Sequence, residues 1–236
     1  MNINLQKGQK IDLTKKTGVS LTNFCVGCNW GAIETIDRRE VIVNEGIFGI
    51  GRKTEWREFK QESDVDLDLS CILVDNNGDF CDHIYSPLYK KELLAKFGLP
   101  PGKLQTANFA LTHSGDDREG DTDGDDGLDN EIVTIDLSKL PSNVSQIFFF
   151  LNNCGKEDFA QIPYAKIRMY EGTSTHVKEV FAQYDVAAEK QYSQKRALIM
   201  GKLYKKEEQW KFHAIGDATD DTFLGQTIQR IINSYI

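Results

Sequence analysis

Short stretches in which apolar residues alternate with smaller or polar ones, each bounded by turn residues, constrain this chain more than any other feature. Phe24, Val26, Cys28 and Trp30 form one such set, Leu67, Leu69, Cys71 and Leu73 a second, and Val133, Ile135 and Leu137 a third. A period of two puts each set on one face of an extended chain, so each predicts a strand with one buried face. Residues 146–151 are apolar on both faces (Ile147, Phe148, Phe149, Phe150), which predicts a central strand covered on two sides. Further strands are predicted over 164–170, 177–184, 196–204 and 209–215. Strands at this spacing predict an all-β fold, a two-sheet β-sandwich.

Two segments depart from the strand period. Ser86 and Pro87 suit an N-cap and first helical position, Leu93, Leu94 and Phe97 share a face, and Gly98, Pro100 and Pro101 supply the stop, so a short inserted helix is expected. Near the end, Thr219 suits the cap of a C-terminal helix opened by Asp220 and Asp221. There Phe223, Leu224, Thr227, Ile228, Ile231 and Ile232 recur at helical spacing. That stripe is expected to dock on a sheet, with a dimer interface as the alternative. At 236 residues the chain reads as one domain over 1–236. Residues 37–62, rich in charge and glycine, read as a long loop or hairpin insertion with no assigned task.

No apolar run approaches the roughly 18 residues that a membrane span needs, and residues 1–10 lack the apolar core and cleavage site of a secretory signal. A cytoplasmic location is expected. Cysteines at 25, 28, 71, 81 and 154, odd in number and scattered, do not form a disulfide framework. Cys25 and Cys28 make a CxxC, but three residues apart on a strand they point to opposite faces, which favours packing over metal or redox chemistry. His83, His113, His176 and His213 are far apart, and no nucleophile elbow, phosphate loop or zincin motif is present. A binding module, not an enzyme, is expected.

The net charge of −8 is concentrated in one place. Between Gly115 and Glu131 lie Asp116, Asp117, Glu119, Asp121, Asp123, Asp125, Asp126, Asp129 and Glu131 against Arg118 alone, so the remainder of the chain is neutral on balance. Nothing here is an electrostatic footprint for nucleic acid; the charged partner expected is a cation. A solvated acidic loop is the competing reading. Against it, Gly115, Gly120, Gly124 and Gly127 punctuate the acids as a tightly folding loop requires, and a predicted strand follows at once. Calcium takes roughly 6–8 oxygen ligands in flexible geometry and suits such a loop. The segment is not an EF-hand: counting from Asp121, the sixth position is Asp126 in place of glycine and the twelfth is Ile132 in place of glutamate. Magnesium keeps its waters, and zinc or copper would want thiolate or imidazole. Upstream, Asp64, Asp66 and Asp68 share one face of the DVDLDLS strand, where a cation would relieve their repulsion. Asp66 and Asp68 thus join the loop as candidate ligands.

LQKGQKIDL, VGCNW, VDLDLSCILVD, HSGDD with its acidic glycine loop ending in EIVTIDL, and QWKFHAIG follow one another in the order of the motifs of TerD-domain proteins, which the chain resembles over nearly its whole length. The resemblance implies a β-sandwich that binds Ca²⁺ through Asp66, Asp68, Asp116, Asp117, Asp125, Asp126 and Glu131. It further implies a role in tellurite, phage and chemical stress resistance, with protein partners in complexes at the inner membrane surface. The pattern departs where Gly127, Leu128, Asp129 and Asn130 intervene before Glu131, so either Asp125 with Asp126 or Asp129 with Glu131 ends the ligand set. Residues 37–62 and 88–108 read as additions to the family pattern. A calcium-dependent membrane-binding sandwich of the C2 type and a calcium-dependent hydrolase are the alternative functions.

Overall fold

The computed structural model describes residues 3–14, 18–44, 52–185 and 190–236. In chain order its strands are β1 (Ile3–Asn4), β2 (Lys10–Asp12), β3 (Asn23–Trp30), β4 (Ile33–Asn44), β5 (Lys53–Ser63), β6 (Leu67–Asp75), β7 (Phe80–Ile84), β8 (Leu111–His113), β9 (Glu131–Asp136), β10 (Val144–Asn153), β11 (Ala165–Thr173), β12 (His176–Asp185), β13 (Ala197–Lys206) and β14 (Gln209–Thr219). The helices are α1 (Lys91–Lys96) and α2 (Leu224–Ser234). One sheet runs β1-β12-β11-β3-β9-β8 and the other β2-β14-β13-β10-β6-β7. This is the β-sandwich with a short helix and a C-terminal helix that the alternating pattern predicts.

The alternation decides what meets between the sheets. Phe24, Val26, Cys28 and Trp30 from β3 share one buried core with Leu67, Leu69, Cys71 and Leu73 from β6 and with Ile147, Phe149 and Leu151 from β10. The doubly apolar run is accounted for by the other face of β10: Phe148 and Phe150 join Ile72, Val74, Ile199 and Ile215 in a second core closed by Leu224, Ile228 and Ile231 of α2. Burying each of those three side chains removes about 1.5–3 kcal/mol worth of apolar surface from water, which is why the stripe docks on the sheet. Cys25 and Cys28 fall on opposite faces of β3, Cys28 in the main core and Cys25 beside Ile132 and Tyr170.

Both helices begin later than the sequence suggests. Ser86 does not cap α1: its Oγ accepts from Leu88 N–H at 3.1 Å, closing a turn, and the helix opens after Lys90. Gly98 does end it, in the left-handed conformation at φ 69°. Thr219 likewise stays in β14, paired with Ala197, and gives its hydroxyl proton to Asp221 Oδ2 at 2.8 Å. Gln226 supplies the start of α2 instead, accepting from Phe223 N–H at 3.1 Å. The 37–62 segment is a hairpin of β4 and β5 standing apart from both sheets, with Ile36, Trp56 and Phe59 exposed; its tip, 45–51, lies outside the described residues.

Candidate metal centre

β6 pairs with β7 only from Cys71 onward, so the backbone of Leu69 has no strand on that side. Side chains from the opposite sheet take its place. Glu131 Oε2 accepts from Leu69 N–H at 2.6 Å, and His113 Nε2 meets Leu69 C=O at 3.0 Å. The N–H of Gly115 donates to His113 Nδ1 at 3.1 Å, which leaves Nε2 as the donor to Leu69. Glu131 Oε1 accepts from Asp117 N–H at 3.1 Å. A buried glutamate at the start of β9 therefore binds the acidic loop, its own sheet and the facing sheet together.

Next to this tie the aspartates converge. One carboxylate oxygen each from Asp68, Asp116 and Glu131 lie within 4.8 Å of one another, and Asp66, Asp68 and the Cys154 thiol form an adjoining group within the same limit. Asp68 is 5 % exposed and Glu131 1 %. Burial and then the charge of Glu131 push Asp68 well above the ordinary carboxylate range, against hydrogen bonds from Cys154 and Tyr89. Burial also raises Glu131, opposed by His113 and by the two backbone N–H groups. Asp66 is raised by burial and then by Asp116, with Arg118 opposing at 3.7 Å. Among the described residues no lysine or arginine forms a salt bridge with Asp68, Asp116 or Glu131. Two buried carboxylates as close as Asp68 and Glu131 do not both ionise readily without a counter-charge. Two oxygens on opposite sides of a calcium bound at about 2.3–2.6 Å stand at this spacing, and the donors are hard oxygens, so the residues present fit that ion.

The rest of the loop does other work. Asp117 points at its own backbone, accepting from Glu119 N–H at 2.9 Å and Gly120 N–H at 3.1 Å. Gly120 is confined to glycine twice over: φ is 73°, and a Cβ would sit 2.6 Å from the Trp30 ring. Asp121, which the sequence does not single out as a ligand, forms a second carboxylate group with Asp125 and Asp126. It is held by Asn29 Nδ2 at 3.0 Å, Asn130 Nδ2 at 3.0 Å and the Tyr164 hydroxyl at 2.9 Å. Asp125 pairs with Lys166, whose hydrogen bond holds its carboxyl below the usual range. Asp129 is buried against Arg168 Nε at 2.8 Å. Of the two endings left open by the sequence, Glu131 lies with Asp68 and Asp116, Asp125 and Asp126 lie with Asp121, and Asp129 lies in none of these groups. His113 and Cys154 adjoin the centre from positions that carry no motif by spacing; the HSGDD run holds His113 and is the one signal that points to it.

The centre opens into a cleft of about 490 Å³, walled by Leu88, Tyr89 and Leu93 before and within α1, by Phe223 at the start of α2, and by Asn152 and Cys154 at the end of β10.

The TerD domain family model matches residues 1–231. A relative from Bacillus subtilis (strain 168), stress response protein SCP2, is 32% identical over 237 residues, covering 98% of this chain and 100% of its own. Tellurium resistance protein TerD of Alcaligenes sp is 28% identical over 221 residues, 92% of this chain and 90% of its own. The crystal structure of a homologue of telluride resistance protein (TerD) from Streptomyces coelicolor A3(2) superposes with a TM-score of 0.54 at 11% identity, covering 86% of this chain and 92% of that one, a likeness of fold.

Proposed function

This chain belongs to the TerD domain family, and on that premise we propose that it is a calcium-binding stress-response protein of the tellurium-resistance type, a cytoplasmic binding and signalling module and not an enzyme. The observation that supports this reading is the meeting of Asp68, Asp116 and Glu131, to which no lysine or arginine among the described residues forms a salt bridge. Asp68, Asp116 and Glu131 would hold the ion with Asp66 beside them, and Ca²⁺ would supply the positive charge that the site lacks. The names of the relatives, stress response and tellurium resistance, supply the cellular context.

The chain's own part is positional. Glu131 and His113 hold the loop on the Leu69 edge, and Asp117 folds its beginning. A cation that neutralises the centre would favour the closed loop, and the surface of the closed loop is what a protein partner would read. No helix among the described residues is long and apolar enough to cross a membrane.

Calorimetric titration of the metal-free chain with calcium tests the proposal. Binding is expected, with affinity falling at least about tenfold when Asp66 and Asp68 are both changed to Asn, because charge is lost while shape is kept. A double variant that binds calcium as the parent does would refute the assignment.

A further inference from the structure

The Cys154 thiol sits among hard oxygen donors, where calcium chemistry has no use for it. Its Sγ donates to Asp68 Oδ2 at 2.9 Å, and Sγ lies within 4.8 Å of a carboxylate oxygen from each of Asp66 and Asp68. Asn152 is the cross-strand neighbour of Asp68 in the β10–β6 ladder, is 3 % exposed, and lines the same cleft as Cys154. Asn152 Nδ2 donates to Thr227 Oγ1 of α2 at 2.9 Å. With Nδ2 on the Thr227 hydroxyl, the carbonyl oxygen of the amide is turned away from that hydroxyl. Oδ1 is left buried with no partner among the described residues. A buried amide oxygen without a donor is unfavourable, and a cation beside it would give it a partner.

We propose that Asp66, Asp68, Cys154 and the Oδ1 of Asn152 form a second cation site, selective for a thiophilic divalent ion of the Zn²⁺ or Cd²⁺ kind. The donor set is two carboxylates, a thiolate and an amide oxygen, and four donors suit the tetrahedral preference of such ions. As the sulfur–metal bond forms, the Sγ–H bond breaks and its proton leaves to solvent, because Asp68, its present acceptor, becomes a ligand. The site shares Asp68 with the calcium centre, so the two ions contend for one carboxylate and a thiophilic metal displaces calcium. The inference rests on its own donors and does not require that calcium bind.

The test is a titration of the metal-free, reduced full-length chain with CdCl₂, read by the ultraviolet thiolate-to-cadmium charge-transfer band. The band is expected to saturate, to vanish in Cys154→Ser together with a loss of cadmium affinity of about tenfold or more, and to persist in Cys81→Ser. In the parent chain, saturating Cd²⁺ should protect Cys154 from alkylation by iodoacetamide, read by peptide mass spectrometry, which decides the matter even if the serine variant folds poorly. A separate calcium titration of Cys154→Ser should still show binding, because Asp68, Asp116 and Glu131 all remain. A silent calcium titration in both chains would count against the calcium reading alone, leaving the cadmium band as it is. A band that survives Cys154→Ser, or alkylation of Cys154 unchanged by cadmium, overturns the thiophilic site.

Discussion

Glu131 in one sheet accepts a 2.6 Å hydrogen bond from the backbone N–H of Leu69 in the other. The contact does the work of a missing strand, and it does so with a buried charge that repels Asp68. Those two roles pull in opposite directions. In chelator, Glu131→Gln relieves the repulsion and keeps an acceptor for Leu69 N–H but turns its amide NH₂ toward Asp117 N–H, so it should stand close to the parent in stability; Glu131→Ala leaves both N–H groups unpaired and should be less stable than the Gln variant by about 1–3 kcal/mol. In saturating calcium the parent should be the most stable of the three. Urea denaturation in the two conditions measures this, and an identical order in both would remove the metal from the explanation.

Calcium should stabilise the fold by about 2.7 kcal/mol at a hundredfold excess over the dissociation constant, raising the melting temperature by roughly 5–10 °C for a domain of this size. Sodium chloride at matched ionic strength should not reproduce the rise. Asp66, Asp68 and Glu131 all titrate above their unfolded values. In the metal-free chain they favour folding below the unfolded carboxylate pKa, and that contribution is lost as pH rises through the folded values. Because the ion needs them ionised, the calcium-dependent rise should shrink on acidification while the pH is still above the ordinary carboxylate range. Melting curves at a series of pH values, with and without calcium, report it; a calcium effect independent of pH would contradict the assignment.

Arg230 anchors α2 through Asp221, at 2.7 and 2.9 Å. Burial would push Asp221 up, but the Arg230 guanidinium and the Thr219 hydroxyl outweigh it and hold the carboxyl below its ordinary value. The stability it contributes is present above the unfolded pKa and is lost as pH falls through the folded one. Arg230→Ala should cost on the order of 1–2 kcal/mol at neutral pH, and the difference from the parent should narrow in acid, below the ordinary aspartate pKa. Parallel denaturation curves at neutral and acid pH check it.

Ile228 is fully buried between α2 and the outer face of β10. Ile228→Ala should destabilise by about 2–5 kcal/mol, lowering the melting temperature by roughly 5–15 °C, with β-rich circular dichroism retained below the transition. A loss under 1 kcal/mol, on the order seen for surface changes, would show that the helix is not docked as described.

At Gly27 an added Cβ would fall 2.1 Å from Asp129 Oδ2. Asp129 is itself pinned by Arg168, so it cannot swing aside cheaply. Gly27→Ala should cost about 1–3 kcal/mol, and Arg168→Ala combined with it should cost less than the two changes added, since both loosen the same carboxylate. A double-mutant cycle that is strictly additive would mean the loop end is not seated against β3.

Much of this protein is legible in the residues alone. Alternation in β3, β6 and β9 settles which side chains face inward, and the doubly apolar run of β10 marks it as the strand with a helix on its back, because burial has a period that a linear chain displays. The existence of both helices is legible too, though not their starts: the hydroxyls of Ser86 and Thr219 have local turn partners that compete with capping. The acidic loop announces a cation without saying which acids meet. Spacing treats Asp117, Asp129 and Glu131 alike, whereas the fold turns Asp117 onto its own backbone, pairs Asp129 with Arg168 and carries Glu131 across to Leu69. Only tertiary structure brings Asp68, Glu131 and Cys154 together. They lie on three strand ends from two sheets, and which ends adjoin follows from sheet order and register, quantities that arise between segments and leave no mark within any one of them.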